Sequence, residues 1–379
     1  MSRSFDRGIG AMLALLLVTA PGDAQTSDSM QVGATTISVG GGTAILTLPD
    51  VPSFVSQAGV TAPSSSQLGT FELSDGFDDE IGGSIDASIE IPVIGINGSR
   101  KLITLGVFWS TIEGDTNSTC LDSNFSNLCM FAPLVDDPTR SQRSLTSAIG
   151  QTISTQTSRD IDHWGASLES KWVMDSGISG VTRAPKRRYL AIGADMRGIR
   201  QDLDVTIVNT RPGFSPATYR EDLDTTYYGV YAAWGRDYEL PFLGRIARNK
   251  GLQSSFLLRG GLYHAETDYD GALVDGTSPL QQATSALSLS RDDVAFIGGL
   301  VLETTKQIGQ RATLSLRSSY EYYSYVPAMA YNQVDATNLG VTAIGGQVGT
   351  VINDDDAFSA RTSLRLTVKL GPDSVIEPR

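Results

Sequence analysis

The chain has 379 residues, 40% of them hydrophobic, and a formal net charge of −13. That length permits one or two domains with a large core, while the acidic balance argues against nucleic acid as a partner, since phosphate binding needs a basic surface. The apolar content is too low for a helical membrane protein, but it suits a barrel, in which apolar residues take every second position.

In chain order, Met1 to Arg7 carries two arginines, Arg3 and Arg7, and one aspartate. An almost uninterrupted apolar stretch from Ala11 to Ala20 follows, with Gly22 and Ala24 as small residues three and one before Gln25. This pattern predicts an export signal over residues 1–24, cleaved before Gln25. The stretch is short for a membrane anchor, which needs about 20 apolar residues. No later segment is long and apolar enough to cross as a helix, so membrane residence would have to come from strands.

Residues 25–66 are rich in Ser, Thr and Gly, include Gly40-Gly41-Gly42, and contain no Lys or Arg. Thr35–Val39 and Thr43–Leu48 fit a small hairpin, two added strands, or an irregular segment lying in a lumen. From Gln67 a period of two dominates. Phe358, Ala360, Thr362, Leu364, Leu366, Val368 and Leu370 fall on one face, and Ser359, Arg361, Ser363, Arg365, Thr367 and Lys369 on the other. A helix would scatter these residues, whereas a strand separates them. Such segments are placed at 67–75, 84–94, 101–113, 161–174, 188–202, 225–238, 254–268, 292–306, 312–325 and 357–369. Each is about the 9–11 residues, or slightly more, of a tilted bilayer-crossing strand.

The connections alternate in charge and, with few exceptions, in length. The shorter set, 95–100, 175–187, 239–253 and 307–311, is basic with its flanks. The longer set, 76–83, 114–160, 203–224, 269–291 and 326–356, carries acidic runs such as Asp78-Asp79-Glu80 and Asp354-Asp355-Asp356. Short turns belong in the periplasm and long loops outside. An even strand count then leaves both ends of the barrel in the periplasm. Cys120 and Cys129 lie within the 114–160 loop and are expected to pair as a disulfide in an exported protein; with no second pair and no adjacent histidine they do not suggest zinc.

Residues 67–370 resemble the general class of Gram-negative outer-membrane β-barrels, through the export signal, the dyad alternation, the loop pattern and aromatic residues near strand ends. Trp109, Trp164, Trp172, Tyr227, Tyr228, Trp234, Tyr238, Tyr320, Tyr322 and Tyr325 are candidates for the interfacial girdles. The resemblance implies an all-β, antiparallel up-and-down transmembrane barrel of about ten strands in the outer membrane. It also implies lipid and lipopolysaccharide as surroundings and assembly by the barrel-assembly machinery. The sequence departs from the class at its end, where the last strand runs into Gly371-Pro372-Asp373 and a tail over 371–379 instead of finishing on an aromatic residue. A secreted β-sandwich is the structural alternative.

On this register the lumen receives Asp86, Glu90, Glu169, Lys171, Asp195, Arg197, Arg259, Glu303, Arg317, Glu321, Arg361, Arg365 and Lys369. Two readings follow: a salt-bridged polar filling that holds the barrel's shape, or a charge-lined conduit for small solutes or ions. Gly106, Gly165, Gly193, Gly229, Gly261 and Gly299 also face inward. Packing beneath aromatics such as Phe108, Tyr231 and Tyr263 explains them without a pore.

Catalysis finds little material. The two histidines, His163 and His264, fall near the external strand ends, where surface proteases of the omptin family, ten-stranded barrels, use Asp–Asp and Asp–His pairs. Here the Asp-x-His order is absent and His264 is expected to face lipid, so the pair does not converge. Ser167 stands four residues from His163, about 13 Å along a strand and too far for activation. No Gly-x-Ser-x-Gly elbow, Walker loop or metal-ligand cluster appears, and no cofactor is expected. The Asp354–Asp356 run reads as a solvated loop before a Ca²⁺ site. The expectation is a non-enzymatic outer-membrane barrel, foremost a narrow passive channel. The alternatives are a non-conducting barrel that presents loop 114–160 and, last, an omptin-like protease.

Overall fold

The computed structural model describes residues 34–49, 55–59, 81–94, 100–121, 127–131, 145–146, 152–178, 185–210, 216–238, 252–274, 284–330 and 351–370. They form thirteen strands: β1 (Thr35–Thr47), β2 (Val55–Gly59), β3 (Ile81–Ile94), β4 (Arg100–Leu121), β5 (Asn127–Phe131), β6 (Leu145–Thr146), β7 (Thr152–Ile178), β8 (Pro185–Asn209), β9 (Ala217–Tyr238), β10 (Leu252–Val274), β11 (Thr284–Gln307), β12 (Ala312–Ala330) and β13 (Val351–Leu370). Ten of them close a barrel in the order β1-β13-β12-β11-β10-β9-β8-β7-β4-β3, every neighbour antiparallel. Closure leaves no unpaired edge among these strands, the condition for a sheet to reside in lipid. β2, β5 and β6 form a separate three-stranded sheet from the β1–β3 and β4–β7 connections.

The ring corrects the expected starting point. The predicted first strand, 67–75, lies outside the described residues, and the first stave is β1, which pairs with β13 on one side and β3 on the other. The barrel unit therefore reaches from Ala34 to Gly371 and takes in part of the stretch assigned to a Ser/Gly/Thr-rich N-terminal segment. The triple glycine that disguised β1 has a packing role. A Cβ on Gly40 would lie 2.6 Å from Arg365 Cγ and 2.7 Å from an Asp86 carboxylate oxygen, so only glycine leaves room for that ion pair. Residues 1–24, the tail 371–379 and the cleavage site also fall outside the described residues.

The strands are far longer than expected. β7 has 27 residues and β8 has 25, more than twice the 9–11 or so that cross a bilayer. Much of what the sequence suggests as external loop is therefore strand: Gly114 pairs with Arg159 and the ladder continues to Leu121 opposite Thr152. Similarly, β8 and β9 remain paired as far as Ile207 and Ala217.

Along each long strand the two faces exchange polarity. On β8, Leu190, Ile192 and Met196 face outward and are exposed, while Asp195 and Arg197 are buried inside; beyond Gly198 the outward residues become Arg200, Asp202 and Asp204, and the inward ones Ile199, Leu203, Val205 and Ile207. β9 mirrors this, with Val230 and Trp234 outward on one side of Tyr228 and Asp222 and Arg220 on the other. β10 changes between Leu262 and Glu266. Outward apolar over inward polar is the pattern of a wall in lipid; outward charged over inward apolar is that of a sheet in water. The exchange therefore marks the external border of a membrane-spanning belt, and the strands stand well beyond it. Trp109, Trp164 and Tyr228 lie near that border, and the Trp109 indole donates to Asp162 at 3.0 Å.

Candidate functional site

Eight of the thirteen predicted lumenal residues stand apart from the central cluster. Arg365 Nε lies 2.6 Å from Asp86 Oδ2, and Lys171 Nζ lies 3.7 Å from Glu90 Oε2. Glu169 accepts from the Tyr231 hydroxyl at 3.0 Å. Glu303 and Arg317 are direct cross-strand partners. Lys369 is exposed, and its backbone amide donates to the Arg311 carbonyl at 2.9 Å.

The other five converge. Period two places Asp195 and Arg197 on the same face of β8, and closure brings Arg259 of β10, Glu321 of β12 and Arg361 of β13 to meet them. Arg197 Nη2 lies 2.9 Å from Asp195 Oδ2 and its Nη1 3.0 Å from Glu321 Oε2. Arg259 Nη2 lies 3.0 Å from Asp195 Oδ2 and 3.5 Å from Glu321 Oε1. Arg361 Nη2 donates to Glu321 Oε2 at 2.9 Å. The Tyr323 hydroxyl accepts from Arg197 Nη1 at 2.9 Å and sits 2.8 Å from His163 Nε2. Aromatic rings frame the cluster, with Phe108 3.4 Å from the Arg361 guanidinium carbon and Tyr231 4.9 Å from that of Arg259. The side chains of Asp195 and Glu321 are each 2% exposed and that of Arg197 1%. Charges this deep survive only when paired and hydrogen-bonded.

The inward glycines fit into this packing. A Cβ on Gly165 would strike the Phe108 ring, one on Gly193 would lie 2.5 Å from Tyr231 Cζ, and one on Gly229 would enter the Tyr263 ring. Gly299 backs onto Arg259 Cγ at 3.2 Å. Each of these positions has given up its side chain to a large neighbour.

Next to the charged layer is a continuous apolar one. Leu46, Ile112, Ile161, Ile199, Tyr227, Ile297 and Tyr323 belong to one buried cluster, with Ile199, Tyr227, Ile297 and Tyr323 at 0% exposure. Beyond it, in the external extension, Leu203, Val205, Ile207, Tyr219, Leu223, Tyr269 and Leu273 pack with Met329 and Ile352 in a second. Apart from Tyr227, none of these inward residues is singled out in sequence, and Leu203, Val205, Ile207, Tyr219, Leu223, Tyr269, Leu273, Met329 and Ile352 fall in segments that read there as connections. Tyr227 and Tyr325, expected in the lipid girdle, are buried at 0% and 3%. Tyr325 keeps the inward phase of Glu321 and Tyr323, and the Tyr227 hydroxyl donates to the Tyr325 carbonyl at 3.1 Å.

The arrangement holds charge in place. His163 is buried, whereas Asp160 and Asp162 take the opposite, outward face of β7. His264 points outward, half-exposed and 3.5 Å from Glu266. Above the border, Arg200 bridges Asp202 at 3.2 Å and Asp222 at 2.6 Å. Burial, followed by repulsion from Asp202, raises the Asp222 carboxyl above the usual range; burial and then Asp222 do the same to Asp224. Among the described residues no group of three or more His, Cys, Asp or Glu is arranged to hold a metal ion. Cys120 and Cys129 lie on β4 and β5, but their side chains, and so the expected disulfide, lie outside the described residues.

No family model matches the chain, and no curated protein matches it. Among solved structures, it is similar to the outer membrane protease OmpT from Escherichia coli, at 9% identity and a TM-score of 0.39, covering 92% of this chain and 100% of that one. It is also similar to a FadL homologue of Pseudomonas aeruginosa, at 10% identity and a TM-score of 0.22, and to the toluene transporter TodX of P. putida, at 7% identity and 0.21; both cover 89% of this chain and 90% of the other.

Proposed function

We propose that this chain is a non-enzymatic outer-membrane barrel that does not conduct, and that it works through the strand-built extension and connections it holds above the membrane. The packing of side chains inside the bore carries this reading. Arg197, Tyr227, Tyr323, Ile199, Ile297 and His163 are fully buried side chains pointing into the bore, and two apolar layers lie on the external side of the charged one. An ion crossing those layers would shed its water with nothing in exchange. The exposed apolar belt supports residence in a bilayer, where lipid and lipopolysaccharide would surround it, and strand-borne crossing supports the outer membrane, reached through the barrel-assembly machinery. The external connections are then the parts free to meet a partner.

A narrow channel is the second reading, favoured by the partly exposed Lys171 and Glu90 side chains, at 23% and 32%, which extend a polar path into the periplasmic half. Single-channel recording on the refolded, heat-modifiable protein in a planar bilayer separates the two. The closed reading expects no discrete steps. Repeatable steps with ion selectivity would overturn it in favour of the channel.

A further inference from the structure

We propose that the outer edge of β11, in the external extension, takes up an extended basic segment of a partner polypeptide as an added strand. This rests on the reading that the extension is the working part of the molecule. Through the lipid belt every strand of the ring is paired on both sides, but above the border two of those pairings stop. β3 leaves β4 at the Gly83–Thr111 pair, and β12 leaves β11 at the Ile297–Tyr323 pair. β4, β7, β8, β9, β10 and β11 continue as one sheet, and β11 from Thr284 to Phe296 pairs with β10 alone. β12 departs where its register with β13 shifts, between Tyr323 and Val326, as a bulge that ends a pairing does.

Main-chain groups alternate along the strand as side chains do. Phe296 sends its N–H towards β12, onto the Ser324 hydroxyl at 2.8 Å, so the groups of Val294, Asp292, Ser290, Ser288 and Ala286 line the same edge. The Val294 N–H is capped by the Asp293 carboxylate at 2.7 Å. Beyond it, among the described residues, no main-chain partner meets the edge. Counted on from the Ile297–Tyr323 pair, Ser290 stands level with Ala330, where β12 ends. From Thr284 to Ser290 the strand carries no proline and no charge, the usual guards of an exposed edge. The two faces set the chemistry of the occupant. Leu287 and Leu289 are only partly buried against the apolar layer of the extension, and apolar residues at alternate positions of an added strand would complete their cover. On the outer face Asp292 lies beside the edge, and Asp268 and Asp270 of β10 stand opposite Ser290 and Ser288, so the intervening residues should be lysine or arginine.

The probe is a labelled, end-capped peptide of about ten residues alternating valine and lysine, a usual strand length or slightly more. Its binding to the refolded protein in non-ionic detergent is read by fluorescence anisotropy. Saturable binding is expected, weakened about tenfold or more in three comparisons. The first is the same peptide N-methylated at its lysines, the residues whose N–H groups would face Ser288 and Ser290 in an antiparallel ladder. The second is a valine–glutamate peptide. The third is Ser290→Pro protein, whose lost N–H points away from β10 and leaves that ladder intact. No saturable binding, or equal binding in any of these comparisons, would overturn the proposal. If Ser290→Pro does not fold, the N-methylated peptide decides. A refolded protein that is dimeric, and monomeric with Ser290→Pro, would assign the edge to a second copy and also overturn it. Conductance steps from a barrel that binds the peptide would sink the closed reading alone; a silent barrel that ignores the peptide would sink this proposal alone.

Discussion

At the scale of single residues, the lumen is organised by what glycine omits. Gly165 and Gly83 are both strand glycines, yet their surroundings are opposite. A Cβ at Gly165 would collide with the Phe108 ring and approach Arg197 Cγ at 3.3 Å, whereas one at Gly83 would meet nothing within 4 Å. Overpacking a well-filled interior costs about 1–3 kcal/mol. Gly165→Ala is therefore expected to destabilise the refolded barrel by that amount, read as a lower urea midpoint, and Gly83→Ala to leave the midpoint unchanged. Equal effects at the two positions would mean the lumen is looser than the contacts around Phe108 imply. The same packing explains why Arg361 tolerates so dry a position: its charge is shared with Glu321 and its flat face is covered by Phe108.

At the scale of the element, the exchange of polarity along each strand is the informative feature. Leu366 on β13 faces outward at 46% exposure, within the belt. Asp268 on β10 also faces outward, but beyond the border, opposite Asp224 and Ser290. A lysine on the lipid face near mid-bilayer costs about 2–4 kcal/mol, falling to about 0–1 near the interfaces. Leu366→Lys should impair insertion into lipid vesicles by that larger amount, and Asp268→Lys should insert normally. Normal insertion of Leu366→Lys would displace the belt from where the exchange puts it. Asp354, which reads in sequence as part of a loop, belongs instead to β13 and lies 2.5 Å from Arg291. The period of two was legible throughout the belt because lipid and lumen impose opposite demands on successive residues. In the extension the outward residues are charged and the inward ones apolar, and the density of Asp, Ser and Thr there read as loop.

At the scale of the whole molecule, the barrel joins a wall in lipid to a wall in water, and the second has its own electrostatics. Asp160, Asp222 and Asp224 stand on the outer face of the extension, their carboxyls raised above the usual range by burial first and neighbouring acids second. A carboxyl with a raised folded value binds its proton more tightly in the folded state. The extension should thus gain stability as pH falls from neutral towards about 4, the unfolded carboxylate value, and lose it as pH rises through the raised values. Limited proteolysis of the refolded protein in detergent should find the extension more resistant at mildly acid pH than at pH near 8. Greater susceptibility in acid would mean that the Arg200 bridges to Asp202 and Asp222 outweigh the repulsion.

The sequence by itself determined the architecture: antiparallel strands, about ten of them, with inward and outward faces that alternate. It could do so because side-chain direction in a strand follows from position alone. It misplaced the first strand, because Gly40-Gly41-Gly42 carries no hydrophobic signal and its reason for being glycine is an ion pair between Asp86 and Arg365, far away in the chain. Only the tertiary structure decided which inward side chains pack against one another across the bore. Which of the inward residues touch depends on the stagger of ten strands around a ring, as with Tyr227, whose hydroxyl reaches the Tyr325 carbonyl from another strand. That Arg197, Arg259 and Arg361 share the carboxylates of Asp195 and Glu321 is a property of closure, since those five residues come from β8, β10, β12 and β13 and meet only across the bore.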